Sequence, residues 1–145
     1  MRESYKKVKI TNYLDIEKAA SGIVKPEEVR SVGVEACINT GTIHIVIPRA
    51  IFEFLGLREM EKVPVKYADG RETIRPLASV VELEINKGKS RVTPIVEEQS
   101  EVLVGNSVIE DMDFLIDSKS GELLPRHPEA PGPLYKIRGI IRRRK

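Results

Sequence analysis

Hydrophobic and polar residues alternate in several short segments of this chain, and turn-forming residues separate the segments. Apolar residues occupy every second position from Val32 to Ile38, from Ile43 to Ile47 and from Val63 to Tyr67. A period of two places alternate side chains on one face of a β-strand. We therefore expect strands at these positions, and further strands in the segments Val8–Ile10, Val81–Ile85, Arg91–Val96, Val102–Val104 and Phe114–Ile116.

Helices are predicted only where a capping residue precedes a short amphipathic stretch. Asp15 is expected to cap a helix that stops at Gly22, and Pro48 is expected to begin a helix that Gly56 closes. Asn106 is expected to cap a helix of one or two turns. Two or three short helices among many short strands predict a mostly β fold, either a sandwich or a closed barrel.

The chain of 145 residues is long enough for one domain with short appendages. Residues 31–125 contain most of the strand pattern and are predicted to form this domain. Residues 1–30 are expected to be an N-terminal extension that packs on it. Residues 126–145 are predicted to be a linker rich in proline and a basic C-terminal tail.

Composition excludes several classes of protein. Aromatic residues make up 5% of the chain and there is no tryptophan, which argues against an aromatic platform for nucleic acid. Cys37 is the single cysteine, so neither an intrachain disulfide nor a cysteine-rich zinc site is expected. His44 and His127 are too few and too far apart in sequence to predict a metal site. No apolar stretch has the length of a membrane span and no secretory signal is evident, so we expect a cytoplasmic protein without a membrane partner.

The net charge of +2 hides an uneven distribution of charge along the chain. Residues 136–145 contain six basic residues and no acidic ones, whereas the rest of the chain is mildly acidic. Such a tail can contact nucleic acid through phosphates, or it can be a solubilising end. The second interpretation is favoured, so nucleic acid is not the expected partner.

The segment with candidate chemistry is Asn39-Thr40-Gly41, which joins two hydrophobic strands. These three residues alone would indicate no more than a polar turn. Other short motifs follow them in a fixed order, and these motifs give the triplet its meaning. They are Ile47-Pro48, Leu55-Gly56-Leu57, Ala68-Asp69-Gly70 and Leu103-Val104-Gly105.

Taken in this order, the motifs resemble those of the retropepsin-like aspartic peptidases, which are short single-lobe chains that act as homodimers. The resemblance covers about residues 30–125. It implies a retropepsin-like, mostly β domain in which two copies form a cleft for an extended peptide or protein substrate. It also implies peptide-bond hydrolysis by an activated water, with no metal and no organic cofactor.

Position 39 departs from the family pattern, because Asn39 stands where the resemblance implies the catalytic aspartate. Two carboxylates that share a proton are needed for this chemistry, one as the base and one as the acid. A pair of carboxamides cannot take a proton from water at ordinary pH. We therefore predict an inactive or nearly inactive protein. The sequence leaves open whether Asn39 is natural or an engineered replacement.

The resemblance also implies roles for the residues near Asn39 and for the later hairpin. Thr40 corresponds to a threonine that bonds across the two-fold axis, and Gly41 to a glycine whose backbone lies beside the substrate. Ala68, Asp69 and Gly70 correspond to the tip of a hairpin that closes over the peptide, although Asp69-Gly70 is equally typical of a plain hairpin turn. A non-catalytic module that binds peptide or dimerises is the alternative function, and nucleic-acid contact through the tail is a weaker one.

Overall fold

The computed structural model describes residues 4–137, which form a mixed β-sheet with three short α-helices. The helices are α1 (Tyr13–Ala20), α2 (Arg49–Phe54) and α3 (Asn106–Asp111), and one 3₁₀ turn covers Pro26–Glu28. The strands are β1 (Ser4–Asn12), β2 (Ser31–Ile38), β3 (Ile45–Pro48), β4 (Glu59–Lys66), β5 (Glu72–Ala78), β6 (Val81–Ile85), β7 (Gly88–Val92), β8 (Ile95–Glu97), β9 (Val102–Val104), β10 (Phe114–Ile116) and β11 (Leu123–Pro125). The prediction of a mostly β fold with two or three short helices is confirmed.

Nine of these strands form one sheet, in the order β4-β5-β8-β3-β9-β2-β1-β6-β7, and this sheet curls as half of a barrel. Strands β10 and β11 form a separate antiparallel pair. The core contains fully buried aliphatic residues from distant parts of the chain. Among them are Ile10, Ile47, Leu55, Leu83 and Val96.

The predicted N-terminal extension contributes a strand to the middle of the sheet. Strand β1 pairs antiparallel with β2 on one side and with β6 on the other. The helix that follows is capped by Asn12, whose Oδ1 accepts from the Asp15 N–H at 3.2 Å. The prediction that Asp15 is the cap is therefore wrong. Asp15 is a buried residue of the first turn, and hydrogen bonds from Arg30 lower the pKa of its carboxyl.

Two further predictions from the pattern fail for local reasons. Ile43 does not belong to β3 but lies in the preceding loop with 61% of its surface exposed. The run Arg91–Val96 is divided at Pro94 between β7 and β8, which lie in different parts of the sheet. Proline has no N–H to donate to a sheet ladder, which favours a break in the strand pairing at Pro94. The short apolar run Val102–Val104 and its end at a glycine are as expected.

The C-terminal segment is irregular from residue 126 to residue 137, as its proline content predicts. Most of the predicted basic tail, residues 138–145, lies outside the described residues. Within residues 4–137, no helix has the combination of length and apolar character that crossing a bilayer requires.

Candidate active site

The Asn39 loop (residues 39–44) joins two strands that are not neighbours. Strand β9 lies between β2 and β3, parallel to the first and antiparallel to the second. The chain therefore leaves β2, crosses the end of β9 and returns on its other side. A loop that crosses a third strand must follow the backbone of that strand closely, so its conformation is set by the sheet beneath it.

Backbone hydrogen bonds hold the Asn39 loop on the end of β9. The N–H of Asn39 donates to the carbonyl of Val104 at 3.0 Å, which extends the parallel pairing of β2 with β9 by one step. At the other end of the loop, the N–H of Asn106 donates to the carbonyl of Thr42 at 2.8 Å. The start of α3 is thus attached to the loop by backbone hydrogen bonds.

Gly105 lies directly beneath this loop and leaves no space for a side chain. A Cβ at this position would be 2.3 Å from the carbonyl oxygen of His44 and 2.4 Å from the carbonyl carbon of Ile43. Both atoms belong to the backbone and cannot turn away. The glycine that ends the apolar run Leu103-Val104-Gly105 is therefore required by close approach of two backbone segments.

The side chain of Asn39 is fixed by its own loop. The side-chain Oδ1 of Asn39 accepts from the N–H of Gly41 at 2.8 Å. The backbone carbonyl of Asn39 accepts from the N–H of Thr42 at 3.2 Å. The Nδ2 amide can donate two hydrogen bonds, and Oδ1 has a second lone pair that can accept another. Asn39 and Thr40 are half-buried and Gly41 is exposed, so the turn is accessible from outside the sheet.

The other predicted site residues, Ala68, Asp69 and Gly70, form the exposed tip of the hairpin β4–β5. Gly70 adopts a positive φ of 89°, which glycine tolerates without strain. Asp69 Oδ1 accepts from the N–H of Arg71 at 3.0 Å, and Oδ2 accepts from its Nε at 2.8 Å. These two bonds hold the pKa of the Asp69 carboxyl below its ordinary value.

The structure places the two sets of predicted site residues, in the Asn39 loop and at the hairpin tip, on different parts of the sheet. The Asn39 loop follows β2, whereas the tip belongs to β4 and β5 at one edge, with β8, β3 and β9 between them. At a spacing of about 4.8 Å per strand, β2 and β5 are about 19 Å apart along the sheet.

Sequence reasoning missed three residues that organise the hairpin, namely Tyr67, Arg75 and Glu97. The Tyr67 hydroxyl donates to Glu97 Oε2 at 2.5 Å, and Arg75 Nε donates to Glu97 Oε1 at 2.8 Å. Tyr67 directly precedes the predicted tip, and this proximity is the one signal in the sequence. Glu97 is thirty residues away, and no motif connects it to the hairpin.

A second polar centre lies at the opposite end of α3 from the Asn39 loop. The Asp113 carboxylate accepts from the N–H of Leu134 at 3.0 Å and contacts His127 Nδ1 at 2.7 Å, and both contacts lower the pKa of Asp113. The segment between His127 and Leu134 forms one wall of a cavity of about 520 Å³, and the turn at Lys87 forms another. The described residues contain no cluster of histidine, cysteine or acidic side chains that fits a metal ion.

Comparison with known proteins gives only weak similarity, and that similarity is to solved structures. No protein-family model matches the chain, and no curated protein sequence is significantly similar to it. The solution structure of the protease of simian foamy virus (mac) is 13% identical, with a TM-score of 0.48, and the match covers 74% of this chain and 92% of that one. A retropepsin-like aspartic protease from Rickettsia conorii is 14% identical in its crystal structure, with a TM-score of 0.42, and the match covers 81% and 90%.

Both similar structures are proteases by name, and the second is described as retropepsin-like. The chemistry has to be argued from the residues of this chain.

Proposed function

We propose that this chain carries an aspartic-endopeptidase-type site, formed where two copies bring their Asn39 loops together, and that Asn39 leaves the site without proteolytic activity. The observation that carries the proposal is the fixed turn at Asn39, in which the Gly41 N–H donates to the side-chain oxygen of Asn39. An aspartate in the same geometry would keep this bond and leave its second oxygen free. That oxygen is the one that could hold a water and accept its proton.

The proposed pairing of two copies follows from the number of Asn39 loops in the chain. General acid–base catalysis of this kind needs two carboxyl groups that share one proton, and one chain offers one position. A symmetric dimer supplies the second copy from the same surface. Sedimentation at micromolar concentration tests this step, and a strictly monomeric protein would contradict it.

The central experiment compares the Asn39 protein with Asn39→Asp and Asn39→Ala on unstructured protein and peptide substrates between pH 3 and pH 7.5. We expect cleavage by Asn39→Asp alone, at a rate roughly a hundred- to ten-thousand-fold above the other two forms, because the lost group is a general base. Pepstatin should inhibit this cleavage and a metal chelator should not. Pepstatin-sensitive cleavage by the Asn39 form would refute the proposed inactivity, and a silent Asn39→Asp dimer would refute the peptidase-type site.

A second candidate function is peptide binding without cleavage, and Asn39 itself favours it. The carboxamide keeps the fixed turn intact and presents an N–H donor where a peptide carbonyl could be bound. Fluorescence anisotropy with labelled extended peptides separates the candidates. Equal affinity in the Asn39 and Asn39→Asp forms, without turnover in either, would favour the binding module.

A further inference from the structure

Within residues 4–137, the β4–β5 hairpin is attached by its backbone to the rest of the sheet only near its base. Leu77 pairs with Ile95 of β8, and the N–H of Ala78 donates to the carbonyl of Pro94 at 2.8 Å. The pairing of β4 with β5 continues from there out to Lys66 and Glu72. Most of the length of the hairpin therefore extends beyond its last backbone pair with β8.

Beyond this backbone pairing, side-chain hydrogen bonds connect the hairpin to β8. The antiparallel register that sets Leu77 opposite Ile95 places Arg75 opposite Glu97, two residues further along each strand. Arg75 and Tyr67 both donate to the Glu97 carboxylate, one to each oxygen. The Glu97 side chain is 17% exposed, so this arrangement is shielded from most competing water. Hydrogen bonds to a charged group that is shielded in this way are stronger than neutral ones.

Tyr67 also connects Glu97 to the tip itself. The guanidinium of Arg71 lies over the Tyr67 ring, 4.7 Å from its centre, and its Nε also donates to Asp69 Oδ2. The N–H of Gly70 donates to the carbonyl of Tyr67 at 2.9 Å. Gly70 and Arg71 of the turn therefore both contact Tyr67 directly.

We propose that Tyr67, Arg75 and Glu97 form a latch that positions the hairpin tip and thereby sets the affinity for an extended peptide. The inference rests on the proposed function in one respect, because it takes the tip as a contact of the bound peptide. The three are positioning residues that act through the tip, and they take no part in the chemistry at position 39. An intact latch holds the tip in one position before the peptide arrives, which lowers the ordering cost of binding.

The direct test measures amide hydrogen exchange in the full-length Asn39 protein, without peptide. Tyr67→Phe removes the hydroxyl and keeps the ring under Arg71, while Glu97→Gln removes the charge and keeps an acceptor. We expect amides between residues 61 and 75 to exchange about tenfold faster in each variant, as expected for loss of one charge-assisted hydrogen bond. Amides of β1, β2 and β6 should exchange at unchanged rates.

Glu98→Gln is the matched control, because it changes the adjacent residue in the same way. Glu98 pairs with Arg49 at 2.6 Å, outside the hairpin, and its side chain is 62% exposed. Hairpin exchange should be unchanged in this variant. Unchanged hairpin exchange in both latch variants would overturn the proposal, and so would faster exchange throughout the sheet, which would indicate general destabilisation.

The functional part is tested by peptide affinity in the Asn39 form, and by KM and kcat in the Asn39→Asp form. We expect Tyr67→Phe to raise the dissociation constant and KM by about five- to tenfold while kcat stays within twofold. Unchanged KM and affinity with a loosened hairpin would overturn the functional part. If Asn39→Asp cleaves nothing, the peptidase proposal fails, and the exchange experiment still decides whether the latch exists.

Discussion

The Asn39 loop and the hairpin tip share the same local hydrogen bond but differ in how they are supported. In the Asn39 loop, Oδ1 of Asn39 accepts from the N–H of Gly41, and at the hairpin tip Oδ1 of Asp69 accepts from the N–H of Arg71. In each case the acceptor side chain lies two residues before the donor. The first turn is seated on the backbone of β9 and α3, whereas the second is connected to the body of the protein by side chains.

This difference shows how one fold can contain a fixed element, the Asn39 loop, and an adjustable one, the hairpin tip. Contacts between backbone segments have little freedom, so the Asn39 loop keeps its geometry as long as the sheet persists. Side-chain contacts can break and re-form while the sheet stays intact. A paired catalytic centre needs the first kind of support, and an element that admits and retains a peptide needs the second.

Replacing Gly105 should have the largest effect on stability, because a side chain there would collide with the backbone of the Asn39 loop. Gly105→Ala places a Cβ within 2.5 Å of backbone atoms of Ile43 and His44, and we expect the free energy of unfolding to fall by about 3 kcal/mol. Urea denaturation measures the change. Gly132→Ala is the control, since a Cβ there meets no atom within 4 Å, and it should alter stability by less than about 0.5 kcal/mol. Equal stability of the two variants would contradict the close approach beneath the loop.

The corresponding change at the tip should have a smaller effect with a different cause. A Cβ at Gly70 meets no atom within 4 Å, but its φ of +89° is unfavourable for other residues. Gly70→Ala should therefore cost about 1 kcal/mol, and Gly70→Asn less, because asparagine tolerates positive φ better than alanine. Urea denaturation of both variants provides the comparison. A loss as large as that of Gly105→Ala would show that the tip is packed rather than free.

Asn39 can be changed so that its hydrogen bond is either lost or kept. Asn39→Ala removes the acceptor for Gly41 N–H and should lower the free energy of unfolding by about 1 kcal/mol. Asn39→Asp keeps an acceptor in the same place and should unfold at pH 7 within about 0.5 kcal/mol of the Asn39 protein. Both are measured at one protein concentration. If the two variants lose the same stability, the turn does not depend on the oxygen at position 39.

The contrast between the turns also explains what the sequence could predict. Apolar alternation, the triplet Asn39-Thr40-Gly41 and the run ending at Gly105 are local features, and the strands and loop they predict are present. Pro94 interrupts a run that alternates well, so the periodicity there predicted one strand where the structure has two. The pairing of Arg75 with Glu97 depends on the register of β5 against β8, in which the paired residues are Leu77 and Ile95. No local pattern specifies that register, so the latch could not be predicted.

Acid should affect the two turns differently, because the Asp69 carboxylate can be protonated whereas the Asn39 carboxamide cannot. Arg71 lowers the pKa of Asp69 below its ordinary value of 3.8, so the bond contributes fully above that value and is lost as the pH falls through the lower, folded-state pKa. We expect the protection of Arg71 N–H to decrease below about pH 3.8 relative to unstructured peptides, while that of Gly41 N–H is retained as long as circular dichroism shows the sheet intact. Asn39→Asp should give the Gly41 N–H a similar acid sensitivity. If both N–H groups lose protection together in the Asn39 protein, the two turns share one support, and the division into a fixed loop and an adjustable tip is wrong.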